Sequence, residues 1–336
     1  MLKDDMIMKT GIIHILDSSM GMPVLSDCPI DLGSDLCDFL KAHIEKFTEH
    51  DDTKQCQFSE TSSLLPLIQE CTPQNFVEVS KELASHLFSI MNSNIDIPPA
   101  DLAIVVFSCH GDDYLALLKL NYKTSYTHTT NSTDDGNAND IILQKAILPS
   151  QGQRLTEACT INLSTGEILL TERKYEINGE KRLYFSELFL DCHAPLSQKS
   201  RLDIVTKAVE QVSKKYYGND NIERKMEVKD VIQKELSEKD GLNVQKVKEK
   251  LFSESPEMQE ELESKLDKYH MTNETIKPKS ETTIKKFQTQ HLTTDTGIEI
   301  TIPMEEYRNP DHVEFITNPN GTISVFLKNI GHLTSK

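Results

Sequence analysis

Leu102-Ala-Ile-Val-Val-Phe107, Cys109-His-Gly-Asp-Asp113 and Tyr114-Leu-Ala-Leu-Leu-Lys-Leu-Asn-Tyr122 follow one another and set the architecture of the first half of the chain. The first run is continuously apolar, the second has the glycine and acids of a turn, and the third returns. Two strands joined this closely must be antiparallel. Ala158–Leu163 and Ile168–Tyr175 repeat the pattern around Ser164-Thr-Gly166, and Asn178-Gly179 is a strong hairpin signal. The block 101–190 is therefore expected to be mainly β.

Helices flank that block. From Asp35, Leu36, Phe39, Leu40, Ile44 and Phe47 recur at helical spacing. Thr72-Pro73 is expected to open a second helix, with threonine as N-cap and proline in its first turn, whose face is Phe76, Val79, Leu83, Leu87 and Met91. Thr124–Asp140 is polar throughout and is expected to be a structureless, disordered loop.

From Ser200 the texture becomes helical. Leu202, Val205, Val209, Val212 and Tyr216 form one face, stopped at Gly218. Ile222, Met226, Val231, Ile232 and Leu236 form a second, and Val244, Val247, Leu251 and Phe252 a third. Ser255-Pro256 caps a fourth, carried by Met258, Leu262, Leu266 and Tyr269. A polar linker, Thr272–Thr283, leads to a terminal β unit that alternates at Ile298, Ile300 and Ile302 and again at Ile323, Val325 and Leu327, as half-buried strands do, with Asn318-Pro-Asn-Gly321 as a turn. The fold class is α+β: an N-terminal antiparallel sheet with flanking helices in residues 1–195, then a helical subdomain closed by a small β unit in 196–336.

The 336 residues carry a net charge of −17 and 37% apolar residues, enough for folded domains with wide polar surfaces. No run approaches the length of a membrane span, and acids stand where a signal peptide is basic, so a cytoplasmic protein is expected. Seven cysteines without a Cys-x-x-Cys pair read as reduced thiols. The charge is uneven. Residues 1–100 hold 6 Lys+Arg against 16 Asp+Glu, whereas 198–250 hold 13 against 10 and 265–290 hold 6 against 3. A surface for a polyanion is expected in the C-terminal half, since the acidic N-terminal part repels one.

Chemistry-bearing patterns are sparse. Cys109-His110 with Asp112-Asp113, and Asp191-Cys192-His193, are the nearest to metal ligands, but a structural zinc wants two closely spaced pairs. No nucleophile elbow or glycine-rich phosphate loop occurs. Lys119, with Asp112 and Asp113, is the best of the poor candidates for a metal-dependent nuclease, and packing explains it better. No catalytic, cofactor or metal residue is assigned. Lys214, Lys215, Arg224, Lys225, Lys229, Lys234, Lys246, Lys248 and Lys250 are the candidate phosphate contacts. Lying off the apolar stripes, Lys214, Lys215, Arg224 and Lys225 are expected to tolerate charge reversal. Each also lies among acids at neighbouring turns, so on spacing alone a solvated, ion-paired face explains them better. Ser237–Asn243 could join a helix-turn-helix that presents Gln245, Lys246, Lys248 and Lys250, although an ordinary helical subdomain fits better.

Further stretches carry a family likeness. Ile12-Ile-His-Ile-Leu-Asp17, Gly21 and Pro23-Val-Leu-Ser-Asp27 resemble the opening motif of the bacterial nucleoid-associated protein family (NdpA-like). Tyr114–Tyr122 and Ala146-Ile-Leu-Pro-Ser150 resemble its central motifs, and Leu292–Pro303 with Val313–Ile330 its end. The likeness runs from about Ile12 to Ile330 and rests on the order and spacing of these motifs. It implies a place on the bacterial nucleoid, DNA binding largely without sequence preference, and a structural role rather than catalysis. Double-stranded DNA is the partner it implies, with single-stranded nucleic acid, other chromosome-associated proteins and a second copy of the chain as further candidates. Recruitment through a DNA-bound partner is the alternative.

Overall fold

A computed structural model describes residues 1–133, 136–218, 221–332 and 334. The chain divides into two compact units, Met1–Ser197 and Gln198–Lys336.

The first unit is built on β1 (Met6–Leu16), α1 (Ser34–Thr48), β2 (Lys54–Phe58), α2 (Leu64–Gln69), α3 (Phe76–Asn92), β3 (Ala100–Cys109) and β4 (Asp112–Asn121). β5 (Lys123–Thr133), β6 (Gly136–Ile147), β7 (Glu157–Asn162), β8 (Glu167–Thr171), β9 (Tyr175–Ile177), β10 (Glu180–Arg182) and β11 (Cys192–His193) follow. Seven strands form one antiparallel sheet in the order β1-β3-β4-β7-β8-β2-β11. Leu102 pairs with Lys119 and Phe107 with Tyr114 in the β3–β4 hairpin.

Why the central strands read as unbroken apolar runs is clear from the layers. Alternate residues point to opposite faces of a strand, and here both faces are covered. Leu102, Ile104, Leu115, Leu117 and Ile161 pack with α2, α3 and a π-helical turn at Phe185–Leu190. Ala103, Val105, Phe107, Ala116 and Leu118 pack with Leu40, Ile44 and Phe47 of α1. The Asn178-Gly179 signal holds: both residues have positive φ (54° and 81°) between β9 and β10.

Two expectations for this unit fail. Thr72 does not cap α3, because the helix begins at Phe76 and the Thr72 amide donates instead to Asn75 Oδ1 at 2.6 Å, making a turn. Nor is Thr124–Asp140 structureless where it is described. Residues 123–133 and 136–147 form a long hairpin, with Tyr126 opposite Leu143 and His128 opposite Ile141. Every residue from Gly136 to Ala146 is exposed. With neither face buried, nothing selects an apolar–polar alternation, and the strands pass for a loop in sequence. Asp134 and Asp135 lie outside the described residues.

In the second unit α4 (Gln198–Tyr217), α5 (Ile222–Ser237), α6 (Val244–Phe252) and α7 (Pro256–Asp267) share a core of Val205, Val209, Ile232, Val247, Leu251 and Leu262. Ser255 Oγ accepts from the Met258 amide at the start of α7, and Pro256 fills the first helical position. Tyr269, placed on the fourth helical face by its spacing, lies beyond the end of α7 and is exposed, and Met271 fills the core in its stead. The expected linker 272–283 is partly ordered. β12 (Leu242–Asn243) pairs with β13 (Thr275–Ile276), and α8 (Glu281–Gln288) begins within it. Gly241, at φ +80°, is required there: a Cβ would lie 2.5 Å from the Ile276 carbonyl oxygen.

The C-terminal β unit is two hairpins, β14 (Thr289–Thr293) with β15 (Glu299–Pro303) and β16 (Val313–Thr317) with β17 (Ile323–Leu327), separated by α9 (Met304–Tyr307). Ile302 is buried, but Ile298, Ile323 and Leu327 are exposed. A two-stranded hairpin has too little area to cover one of its own faces, so the alternation overstates the burial.

Candidate nucleic-acid interface

α4, α5 and α8 leave between them a cavity of about 500 Å³. Lys214 comes from the last turn of α4, Arg224, Lys225 and Lys229 from the first two turns of α5, and Lys286 from α8. Among the described residues Glu210 supplies the one carboxylate of that lining. The apolar positions explain the arrangement. Val205, Val209, Val212, Val228 and Ile232 turn into the core, which leaves the basic positions at the cavity. The Asn221 side chain caps α5 by accepting from the Arg224 amide at 2.9 Å.

The five cations differ. Lys214, Lys225 and Lys286 are exposed, and none has a carboxylate partner among the described residues. Lys229 donates to the Thr289 carbonyl at 2.6 Å, and burial lowers its pKa against the opposing pull of Glu210. Burial in turn raises the Glu210 carboxyl, opposed by Lys229, Lys207 and Lys225. Arg224 is a structural residue. Its side chain is 11% exposed, pairs with Glu227 at 2.6 Å and lies 4.5 Å from the Tyr217 ring and 5.3 Å from that of Phe252. It also donates to the Leu251 carbonyl. The expectation that it tolerates charge reversal is therefore corrected, because its guanidinium is packed between two helix ends.

The other candidates are not brought to the cavity. Lys215 pairs with Glu261 at 2.5 Å, Lys234 with Asp230 at 2.7 Å, and Lys248 with Glu263. Lys250 pairs at 2.6 Å with the buried Glu235. Lys246 is exposed on α6, and the Gln245 amide is engaged by Thr272 and Asn273. α6 thus presents no set of free side chains for a groove, and the connection before it is tied to β13. Lys286 was missed because the longest positive stretch, 198–250, ends well before it. The positive balance of 265–290 was the signal that could have found it.

The remaining sequence candidates disperse. Asp113 is held by Lys9 at 2.6 Å and Ser108 at 2.7 Å, at the opposite end of β4 from Lys119. Lys119 is wholly buried, donating to the Pro98 carbonyl at 3.1 Å and to Asn121, with Glu157 at 3.9 Å. Burial pulls its pKa down to about 8, with Glu157 opposing. His110 lies 3.4 Å from Asp5, and Asp191 accepts from Thr61. Among the described residues no three His, Cys, Asp or Glu side chains are placed to share a metal ion, and no helix is long and apolar enough to cross a membrane.

The family model described as nucleoid-associated protein YejK matches residues 12–333. With nearly the whole chain matched, the protein belongs to that family. The curated proteins give no match.

Proposed function

We propose that this member of the nucleoid-associated family binds duplex DNA directly and largely without sequence preference, in a structural rather than an enzymatic role. The observation that carries the reading is the set of Lys214, Lys225 and Lys286 around one cavity, three exposed ammonium groups that form no salt bridge among the described residues. Free ammonium groups can exchange condensed counterions for phosphates, whereas lysines already paired with glutamate have little to gain. The contacts are to backbone, so they position the duplex without reading it.

The test is a salt series on the purified full chain with two duplexes of unrelated sequence and no other protein present. Three phosphate contacts give a slope of log K against log salt of about −2.7. Changing Lys214, Lys225 and Lys286 together to glutamate should abolish binding to both duplexes alike. Wild-type protein that binds neither duplex at low salt refutes direct binding.

Recruitment by a DNA-bound protein is the second reading. It is favoured by the −17 net charge and by the β5–β6 hairpin, whose Tyr126 and Ile141 are 73% and 71% exposed. Large side chains so placed suit a protein partner, another chromosome-associated protein or a second copy of this chain.

A further inference from the structure

The cavity framed by α4, α5 and α8 has a floor as well as a charged rim. Val228 and Ile232 are buried and Phe287 is half-buried along its wall. Three polar atoms of the same lining have no hydrogen-bond partner among the described residues: Thr206 Oγ1, Ser213 Oγ and Arg224 Nε. Ser213 is only 6% exposed. Buried polar groups are rarely left unpaired in a folded protein, since each has lost water without compensation.

We propose that this cavity binds a nucleoside phosphate, with the base against Phe287 and the phosphate held by Lys214, Lys225 and Lys286. At about 500 Å³ it lies in the range of small-molecule sites. A flat heteroaromatic base offers an apolar face for Phe287 and Ile232 and a polar edge for the two hydroxyls and the guanidinium N–H. An acyl chain would leave those three groups dehydrated and unpaired. A duplex cannot supply the ligand while its bases are stacked and paired. The source is therefore a free nucleotide or an unstacked nucleotide of a single strand. The inference shares its lysines with the DNA-binding reading and deepens it, but the floor of the cavity is independent of duplex contact.

Calorimetric titration of the full chain with adenosine 5′-monophosphate, adenosine, inorganic phosphate and a short single-stranded oligonucleotide tests it. Saturable binding of the monophosphate, at least about tenfold tighter than adenosine and than phosphate, identifies a free nucleotide as ligand. Binding of the oligonucleotide alone identifies a strand. In either case Ser213→Leu, which fills the cavity without changing charge, should weaken that ligand about tenfold or more while duplex affinity stays unchanged. Phe287→Ala, which removes the aromatic wall, should do the same and covers the event that Ser213→Leu misfolds. The proposal is overturned if neither nucleotide nor oligonucleotide saturates, if both folded variants bind as wild type does, or if inorganic phosphate binds as tightly as the monophosphate. Duplex binding that survives those outcomes leaves the DNA reading standing, and nucleotide binding without duplex binding removes the DNA reading alone.

Discussion

Arg224→Ala should cost the second unit about 3 kcal/mol of stability, whereas Lys225→Ala, one residue along the same helix, should cost almost nothing. The arginine donates a charge-assisted hydrogen bond to the Leu251 carbonyl, a contact worth about 1.5–3 kcal/mol. Its guanidinium lies over the rings of Tyr217 and Phe252, at about 0.5–1 kcal/mol each. The Glu227 carboxylate is 49% exposed, so that ion pair adds only a few tenths. These contributions overlap, and about 3 kcal/mol is the reasonable total. Lys225 is exposed and has no carboxylate partner among the described residues. The chain lacks tryptophan, so urea unfolding is best followed by far-UV circular dichroism. With a slope of about 2 kcal/mol per molar urea, the Arg224→Ala midpoint falls by about 1.5 M. A shift below about 0.3 M would refute the structural role. DNA titration of the same variants separates the two positions further, since Lys225→Ala should weaken binding with the fold intact.

His14 and the β5–β6 hairpin give two more tests. His14 is buried in β1, accepts from the Ser26 amide at Nδ1 and meets Ser80 through Nε2, and burial, then Lys81, lowers its pKa to about 4. The unfolded chain takes up this proton first as pH falls, so the stability that neutral His14 gives is complete above about pH 6.5 and drains away towards pH 4, by about 3 kcal/mol at most. Urea midpoints across that window should fall more steeply for wild type than for His14→Gln, and parallel curves would contradict the assignment. Replacing residues 124–146 by a short Gly-Ser link should leave the stability of the first unit within about 0.5 kcal/mol, because none of the described residues of that segment is buried. A loss above about 2 kcal/mol in the same urea titration would mean that it packs on the core.

The elements that sequence revealed are those whose side chains face something. Leu102–Tyr122 is continuous because helices cover both faces of the sheet, and the stripes of α1, α3 and α6 match one buried face each, as does that of α4 up to Val212, with Tyr216 exposed. What escaped has no such imprint. β2 and α2, too short to show a period, gave no signal, and β5 and β6 bury neither face. At the cavity, charge counts singled out the stretches that carry its lysines but could not tell Arg224 from Lys225. Only the packing of Tyr217 and Phe252, which come from other helices, makes one a strut and leaves the other free.

The hairpin's length has an electrostatic consequence. Eleven residues of strand at about 3.3 Å each put the far ends of β5 and β6 some 35 Å from their roots. At physiological ionic strength the field of a surface charge decays over about 8 Å. Residues near the far end, Asn131 and Asn137 among them, therefore lie several screening lengths from charges at the base of the arm. Between Thr129 and Ile141 the arm carries Asp134, Asp135 and Asp140 and no Lys or Arg, so a polyanion that meets its outer half is repelled locally, whatever the charge on the rest of the chain.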